Sequence, residues 1–321
     1  MQINNWTYYN HAAVPCCAPH EDADLKPIID GTIWSLKSKS GSAPLMAVYH
    51  TDFDMEAETS YWFIIKDEVL SLDEFSKKRQ KFIRKSLERC EVKMINPAEY
   101  ADDMYDVYQA AFKCYKNADN EADEKSFKEN VKSDGLEYWG AFSTETGQMA
   151  GWMSCHNHGD WTETISAKYH PDMQTAVRPS ESIHYYVLQH YLNELGQKYV
   201  CSGARNLNHK TTVQDYKIRN WHFRRAYCRL HIVYNPKIKW IVMCLYPLRM
   251  IFRQFDFITR IHQVNSLLRM EEIARRDSKI TPPHYEIEII DNQGALCLFV
   301  GVRFLETNGS ENISKTINFA A

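Results

Sequence analysis

The side chains whose spacing most clearly suggests chemistry are six cations on one predicted helix. Residues 72–89 have helical periodicity, and at about 100° per residue these cations fall within about 140° of one another. Cations on one rigid helix contact a row of phosphates and displace their counterions; the alternative is an ordinary solvated face. We take Lys81, Arg84 and Lys85 as the donor-binding candidates. The full set is Lys77, Lys78, Lys81, Arg84, Lys85 and Arg89.

Histidines and cysteines supply the metal-ligating side chains of the chain. His156 and His158 share one face of a predicted strand, which suits a metal, but no third ligand stands at a recognisable spacing. We therefore predict no metal site and interpret these histidines as turn or surface residues. The nine cysteines lack regular spacing apart from the adjacent Cys16 and Cys17, which indicates reduced thiols in a cytoplasmic protein.

A second surface candidate is the apolar and aromatic stretch 240–253, which Lys237, Lys239, Arg249 and Arg253 border. Cations around apolar and aromatic residues are typical of a peripheral membrane contact on the inner face, and the alternative is core packing. No window approaches the roughly 20 apolar residues that a membrane span needs. The net charge of −3 in 321 residues means that any polyanion must bind a local basic patch.

The order of predicted elements is more specific than the composition. A hairpin runs from Glu137 to His156 around a turn at 146–148, and a third strand follows at 162–169. A helix begins near Pro179 and ends at Gly196. A short buried strand at 198–202, a helix at 212–221 and a basic, aromatic strand at 223–234 complete the series. Further strands are predicted at 32–36, 45–50 and 61–66.

This order resembles the core of the GNAT acyltransferase fold, and more narrowly its Fem-type (FemAB-like) branch. The resemblance is carried by residues 185–194 (YYVLQHYLNE), 198–205 (KYVCSGAR), 213–218 (VQDYKI) and 223–228 (FRRAYC), with 62–66 (WFIIK) and 78–85 (KRQKFIRK) upstream. It covers roughly residues 60–275. It implies an α/β (α+β) fold, a GNAT-like mixed sheet flanked by helices, with a helical C-terminal extension.

The resemblance also implies a site. In GNAT enzymes the fourth and fifth core strands splay apart, and backbone N–H groups in the gap meet the thioester carbonyl. Here those strands are 162–169 and 198–202. Glu163 is then the general-base candidate, or a solvent-facing residue, and Tyr216 or Tyr227 is the general acid, or a packed aromatic. The substrate- or donor-binding candidates are Ser166, Ser202, Arg205, Asn206 and His209.

The sequence departs from the GNAT pattern at two places, one that concerns binding of the acyl donor and one that concerns the general acid. Members that bind coenzyme A carry a glycine-rich turn before the helix that follows the fourth strand, but residues 167–182 contain no glycine. Fem-type enzymes lack that turn and use aminoacyl-tRNA. The position of the usual acid tyrosine is occupied by Ile218, with His222-Phe223 in place of Gly-Phe.

The resemblance therefore predicts an N-acyltransferase or aminoacyltransferase acting on an amine of a cell-envelope sugar or peptide precursor. The donor is acyl-CoA or charged tRNA, and the acceptor is a small-molecule or lipid-linked amine. Two rivals remain open: an acetyl-CoA-dependent N-acetyltransferase with an atypical CoA site, and a non-catalytic binding protein on a GNAT scaffold. Four regions are predicted: an incomplete N-terminal module at 1–95, a complete module at 96–235, a helical extension with a terminal strand pair at 236–306, and a flexible tail at 307–321.

Overall fold

The computed structural model describes residues 2–38, 40–114, 121–206, 212–280, 285–292 and 295–302. They form two compact units, residues 1–62 with 227–321, and residues 63–226. The division at 95/96, 235/236 and 306/307 drawn from the sequence stays a prediction. In chain order the strands are β1 Gln2–Ile3, β2 Trp6–Tyr9, β3 Ala12–Pro15, β4 Met46–Met55, β5 Tyr61–Lys66, β6 Cys90–Ile95, β7 Glu137–Ser143, β8 Met149–Asn157, β9 Thr162–Tyr169, β10 Val200–Ala204, β11 Arg224–Tyr234, β12 Tyr285–Asn292 and β13 Ala295–Val302.

The helices begin at residues with recognisable start signals. Ser76, Asn96 and Asp123 each accept a backbone N–H with the side chain, and Pro179 occupies the first turn of its helix. The helices are α1 Lys26–Ile29, α2 Lys77–Arg89, α3 Pro97–Phe112, α4 Glu124–Ser133, α5 Pro179–Leu188, α6 Val213–Trp221, α7 Pro236–Leu245, α8 Arg249–Gln254 and α9 Thr259–Asp277. None of the described helices has the length and apolarity that crossing a membrane requires.

In the unit formed by 1–62 and 227–321, the strand order is β1-β2-β3-β4-β11. Strand β4 is parallel to β3 and antiparallel to β11, with Thr51 opposite Arg229. The core beneath this sheet contains Trp6, Ile33 and Leu36, all fully buried. Strands β12 and β13 form a separate two-stranded sheet.

The strand predicted at 32–36 is wrong, because residues Thr32–Ser35 form a short 3₁₀ helix. Gly31 precedes it with φ 78°, a left-handed conformation that glycine adopts without a Cβ clash. Asp30 then accepts hydrogen bonds from both the backbone N–H and the hydroxyl of Thr32. This turn chemistry overrides the strand preference of the β-branched residues.

The unit 63–226 has the strand order β5-β10-β9-β8-β7-β6, in which β9 and β10 are parallel and all other neighbours are antiparallel. Helices α3 and α4 pack on one face around Trp152 and Tyr138. The next residue, Trp139, faces the other side and donates from Nε1 to the Tyr191 hydroxyl at 3.2 Å, just beyond α5. Helices thus cover both faces, and the mixed α/β sheet flanked by helices that the sequence predicted is confirmed.

Candidate functional site

The parallel strands β9 and β10 stay together over a very short distance. Within their described residues the register pairs are Thr162 with Val200 and Glu163 with Cys201, although β9 continues to Tyr169 and β10 to Ala204. Pairing of β10 with β5 also shifts register after Cys201. The two strands therefore diverge beyond Glu163 and Cys201, and we call the space between their diverging parts the slot.

A bulge in β9 lies at the start of the slot. Ser166 is opposite Ser154 of β8, yet Thr164 is opposite Cys155, so Ile165 is one extra residue in β9. A bulge of this kind bends a strand and re-aims its side chains, and bulges are common beside active sites. The Ile165 side chain is 48% exposed. The bulge explains why β9 leaves β10 at this point.

A buried lysine bridges the two strands where they part. Lys217 of α6 donates from Nζ to Thr164 Oγ1 at 2.8 Å and to Ser202 Oγ at 2.5 Å. Thr164 and Ser202 are the first residues beyond the last register pair on their strands. Lys217 itself is only 5% exposed. We call these three residues the clamp.

The clamp lysine has no acidic counterion among the residues that the structure describes. Burial away from water disfavours the ammonium, and it lowers the pKa of Lys217 to about 8. The nearby thiols of Cys155 and Cys201 are buried as well, which raises the pKa of each to about 12 and keeps them neutral. Near neutral pH Lys217 therefore exists as a mixture of ammonium and free amine.

His184 of α5 lies on the same side of the site as the clamp. Its Nδ1 donates to the Ser180 carbonyl at 2.7 Å, and its ring stacks on Trp221 with the centroids 5.3 Å apart. Burial, together with the charge of Lys217, lowers the pKa of His184 to about 3. The imidazole is therefore neutral and adds no charge beside the clamp.

Glu163 lies on the other face of the sheet from the clamp. It is aligned with His156 of β8, whereas Thr164 is aligned with Cys155, so the two side chains point to opposite faces. Burial raises the pKa of the Glu163 carboxyl, and His156 partly opposes that shift. Its Oε1 lies beside Gly203, 3.9 Å from where a Cβ on that residue would stand. The slot thus has a carboxylate on one face and an amine on the other.

The remaining candidates from the sequence are distributed as follows. Arg205 and Asn206 directly follow β10, and Ser166 lies on β9 beyond the bulge. Tyr216 precedes Lys217 in α6, and its hydroxyl is 3.5 Å from Glu181. Tyr227 packs edge-on against Trp62 in the unit formed by 1–62 and 227–321. His209 lies outside the described residues, and Lys81, Arg84 and Lys85 are exposed on α2.

The clamp was not predicted from the sequence. The sequence indicates Ser202 only as a binding residue and assigns no role to Thr164 or Lys217. A signal existed, because Lys217 and Trp221 are four residues apart and share one face of α6. A lysine in line with a fully buried tryptophan is either a snorkelling side chain or a buried amine, and the sequence does not distinguish them.

The N-terminus of α5 carries its own carboxylate. Glu181 lies in the first turn, is 7% exposed and forms an ion pair with Arg79 of α2. Helix α2 also packs on the preceding turn, where Ser86 Oγ donates to the Arg178 carbonyl at 2.7 Å and Arg89 donates to the Ala176 carbonyl at 2.8 Å. Protein groups therefore occupy this helix end.

The two strand histidines lie close together on β8 and just beyond it. The ring centroids of His156 and His158 are 3.9 Å apart, and His158 stacks on Trp161 at 4.1 Å. In the described part of the chain no three His, Cys, Asp or Glu side chains are grouped as a metal ion would need. These rings form an aromatic stack at the edge of the site.

Comparisons with solved structures return proteins of low identity. L-PGS from Bacillus licheniformis is 13% identical, with a TM-score of 0.43 over 75% of this chain and 83% of that one. FemX is 9% identical, with a TM-score of 0.41 over 56% and 63%. A tandem GNAT protein from the clavulanic acid biosynthesis pathway is 12% identical, with a TM-score of 0.40 over 70% and 75%. No family model and no curated protein matches the chain.

Because these TM-scores are below 0.5, the fold assignment rests on the strand order itself. A run of antiparallel strands leads into one parallel pair that splays, with helices on both faces. This is the arrangement that the sequence resemblance predicted, and it defines a GNAT-type fold. FemX and the tandem GNAT protein are among these matches.

Replacing the clamp lysine tests its burial directly. Folding lowers the pKa of Lys217 from 10.5 to about 8, so the native state binds fewer protons than the unfolded chain between those values. Below pH 8 the buried ammonium lowers the free energy of unfolding by its full amount. This destabilisation disappears as the pH rises toward 10.5. Lys217→Met should raise the free energy of unfolding by about 2 kcal/mol at pH 7, after allowance for the lost hydrogen bonds, and by less at pH 10.

A second buried lysine provides the control. Lys66 is 1% exposed but pairs with Glu74 at 3.1 Å. Lys66→Met leaves that carboxylate without its partner and should lower the free energy of unfolding. Urea unfolding of both variants at pH 7 and pH 10 measures the contrast. Equal destabilisation by the two substitutions at pH 7 would show that Lys217 is not an uncompensated buried cation.

Proposed function

We propose that this protein transfers an acyl or aminoacyl group to an amine on a cell-envelope sugar or peptide precursor. The observation that carries the proposal is the end of β9–β10 pairing after Glu163 and Cys201 while both strands continue. A carbonyl lying in the slot can meet backbone N–H groups of β9 that no longer pair with β10. Such fixed donors stabilise the negative charge that develops on the carbonyl oxygen during acyl transfer.

The acceptor amine must lose a proton to attack the carbonyl, and Glu163 is the base that we assign. Its raised pKa makes the carboxylate a stronger base than an exposed glutamate. Tyr216 is the acid that we assign, because burial raises its pKa and keeps the phenol protonated. Ser166, Arg205 and Asn206 are proposed to contact the bound groups, and Tyr227 stays a second acid candidate.

The donor that we propose is an aminoacyl-tRNA. Coenzyme A needs a helix N-terminus open to a pyrophosphate, whereas the first turn of α5 holds the buried Glu181 carboxylate in an ion pair with Arg79. A second anion beside a carboxylate is repelled. Helix α2 packs beside that turn and presents exposed cations, the most central of which are Lys81, Arg84 and Lys85. This basic helix is the surface we assign to tRNA phosphates.

The acceptor that we propose is lipid-linked, presented at the inner face of the membrane. Of the eighteen large hydrophobic side chains that are exposed in the described residues, nine lie between Trp240 and Ile258. By helical arithmetic Trp240, 71% exposed, lies at the centre of the outward face of α7, between Lys237 and Lys239. No acidic residue occurs from Pro236 to Phe255. An apolar face bordered by cations suits an anionic bilayer surface.

The donor is tested by supplying candidates to the purified full chain. Aminoacyl-tRNA should raise the melting temperature and acetyl-CoA should not, and with an amino sugar or peptide amine the aminoacyl group should move to the amine, as seen by mass spectrometry. Glu163→Gln should lower the rate at least tenfold with a smaller effect on tRNA binding. Stabilisation by acetyl-CoA alone would support the N-acetyltransferase alternative, and binding without turnover would support the binding-protein alternative.

The basic helix is tested by reversing its central charges. Lys81→Glu, Arg84→Glu and Lys85→Glu together should weaken tRNA binding by at least tenfold and reduce its salt dependence, because phosphate contacts release fewer counterions. The matched control reverses three exposed lysines elsewhere, Lys113, Lys125 and Lys132, for the same change in net charge. Filter binding at several salt concentrations measures both. Similar losses in the two triple variants would mean that α2 is not the docking surface.

The membrane contact is tested with vesicles of phosphatidylcholine, with and without phosphatidylglycerol. The full chain should cosediment with the anionic vesicles, and Trp240→Glu with Ile241→Glu should reduce the partition coefficient by about tenfold. Ile29→Glu with Val69→Glu, at sites 83% and 68% exposed, is the control. Equal partition coefficients for the two double variants would contradict the membrane contact. Light scattering that finds a dimer, dissociated only by the α7 substitutions, would contradict it as well.

A further inference from the structure

The clamp contains the parts of a serine nucleophile with a lysine base. Ser202 Oγ and Lys217 Nζ are 2.5 Å apart, which is within hydrogen-bond reach for a proton transfer. Thr164 Oγ1 lies 2.8 Å from the same Nζ and fixes its direction. A nucleophile, a base in contact with it and a third group that orients the base are the three members of a catalytic triad of this type.

The surroundings favour an amine that can give up its proton. Lys217 is buried, and among the described residues no carboxylate pairs with it. The groups packed against it are Cys155, Cys201 and His184, all neutral, and the Phe223 ring at 5.4 Å from Nζ. The charge of Arg79 acts on His184, and the charge of Glu163 acts on Cys201. A lysine kept only for stability would be better served by an acidic partner.

Ser202 lies where a nucleophile for the slot has to be. It is the first residue of β10 beyond the last pair with β9, at the point where the strands separate. It is partly exposed, whereas Lys217 is buried behind it. Gly203 follows with φ 78°, which turns the backbone directly after the serine. An incoming carbonyl in the slot therefore reaches the hydroxyl before it reaches the amine.

We propose that Ser202 is a covalent nucleophile, that Lys217 is its base and that Thr164 is a positioning residue. The inference rests on the proposed acyl transfer. In the reactive form the Ser202 hydroxyl donates to the neutral amine of Lys217. The Oγ–C bond forms as Lys217 takes the hydroxyl proton, and the bond from the carbonyl carbon to the donor oxygen breaks as that proton passes to the leaving group.

The second half of the reaction reverses these roles. The acceptor amine attacks the acyl-serine carbonyl, the new C–N bond forms and the C–Oγ bond breaks. Glu163 takes the first proton from the acceptor ammonium. The attacking amine then gives its second proton to Lys217, and Lys217 passes that proton to the serine oxygen. No oxidant, reductant or further reactant is required. With a lysine pKa of about 8, about one molecule in ten carries the free amine at pH 7, so acylation should accelerate up to about pH 8.

The test uses p-nitrophenyl acetate as an activated acyl donor on the full chain. Wild-type protein should release a burst of one p-nitrophenolate per chain and gain the mass of one acetyl group, located by peptide mapping at Ser202. The burst rate should rise with pH and level off near pH 8. Ser202→Ala should abolish the adduct, and the control Ser180→Ala should retain it. Absence of an adduct in the wild type, or its location at another residue, overturns the proposal.

Variants of Lys217 and Thr164 distinguish a catalytic role of the clamp from a purely structural one. Lys217→Arg keeps the charge and the donor groups but supplies no neutral base, so it should abolish both the burst and its pH dependence. Thr164→Val should slow the burst by about tenfold and Thr164→Ser should restore it. Should either variant fail to fold, the pH profile and the adduct map of the wild type still decide the question. A pH-independent burst would overturn the role of Lys217.

The outcomes also separate this inference from the proposed function. If Ser202→Ala still transfers an acyl group to an amine, the nucleophile assignment is wrong and the transferase proposal stands. If Ser202 of the wild type is acylated but no amine accepts the group, the nucleophile assignment stands and the transferase proposal is wrong.

Discussion

Backbone N–H and C=O groups that leave a β-sheet need new hydrogen-bond partners. In the unit 63–226 this constraint determines the contacts where β9 and β10 separate. Where β9 and β10 part, side chains supply those partners. The Thr164 hydroxyl donates to the Cys201 carbonyl at 3.2 Å, and the Gly203 N–H donates to Cys201 Sγ at 3.3 Å. Lys217 then ties the two strands together beyond their last pair. Side-chain hydrogen bonds thus replace backbone pairing where the slot begins.

The pKa values of Glu163 and Lys217, the two ionisable groups nearest the slot, depend on their lying on opposite faces of the sheet. The carboxyl of Glu163 and the amine of Lys217 are both shifted toward their neutral forms, and burial is the main cause in each case. The sheet separates them, since Glu163 aligns with His156 and Thr164 aligns with Cys155. A direct ion pair would have cancelled both shifts. Their separation keeps the Glu163 carboxylate a stronger base than an exposed glutamate and leaves Lys217 with a pKa of about 8.

Much of this architecture was predictable from the sequence, because it follows from local signals. The Glu137–His156 hairpin has a glycine turn at Gly147, and Pro179 marks the start of α5. The strand predicted at 32–36 failed since the contacts of Asp30 and Gly31 outweigh β propensity. Neither the bulge at Ile165 nor the burial of Lys217 has a local signal of comparable strength. The bulge depends on register with β8, and the partners of Lys217 lie 53 and 15 residues away in sequence.

The pairing of β4 with β11 has a consequence for how the chain is made. Thr51 and Arg229 are partners in one sheet, yet the whole of 63–226 is translated between them. On a ribosome the nested segment has all its strands available before β11 emerges, so it can fold first. The early segment of the outer unit, by contrast, lacks the partner strand of β4 until β11 emerges. During synthesis the unpaired edge of β4 is the part of the chain that a chaperone would have to protect.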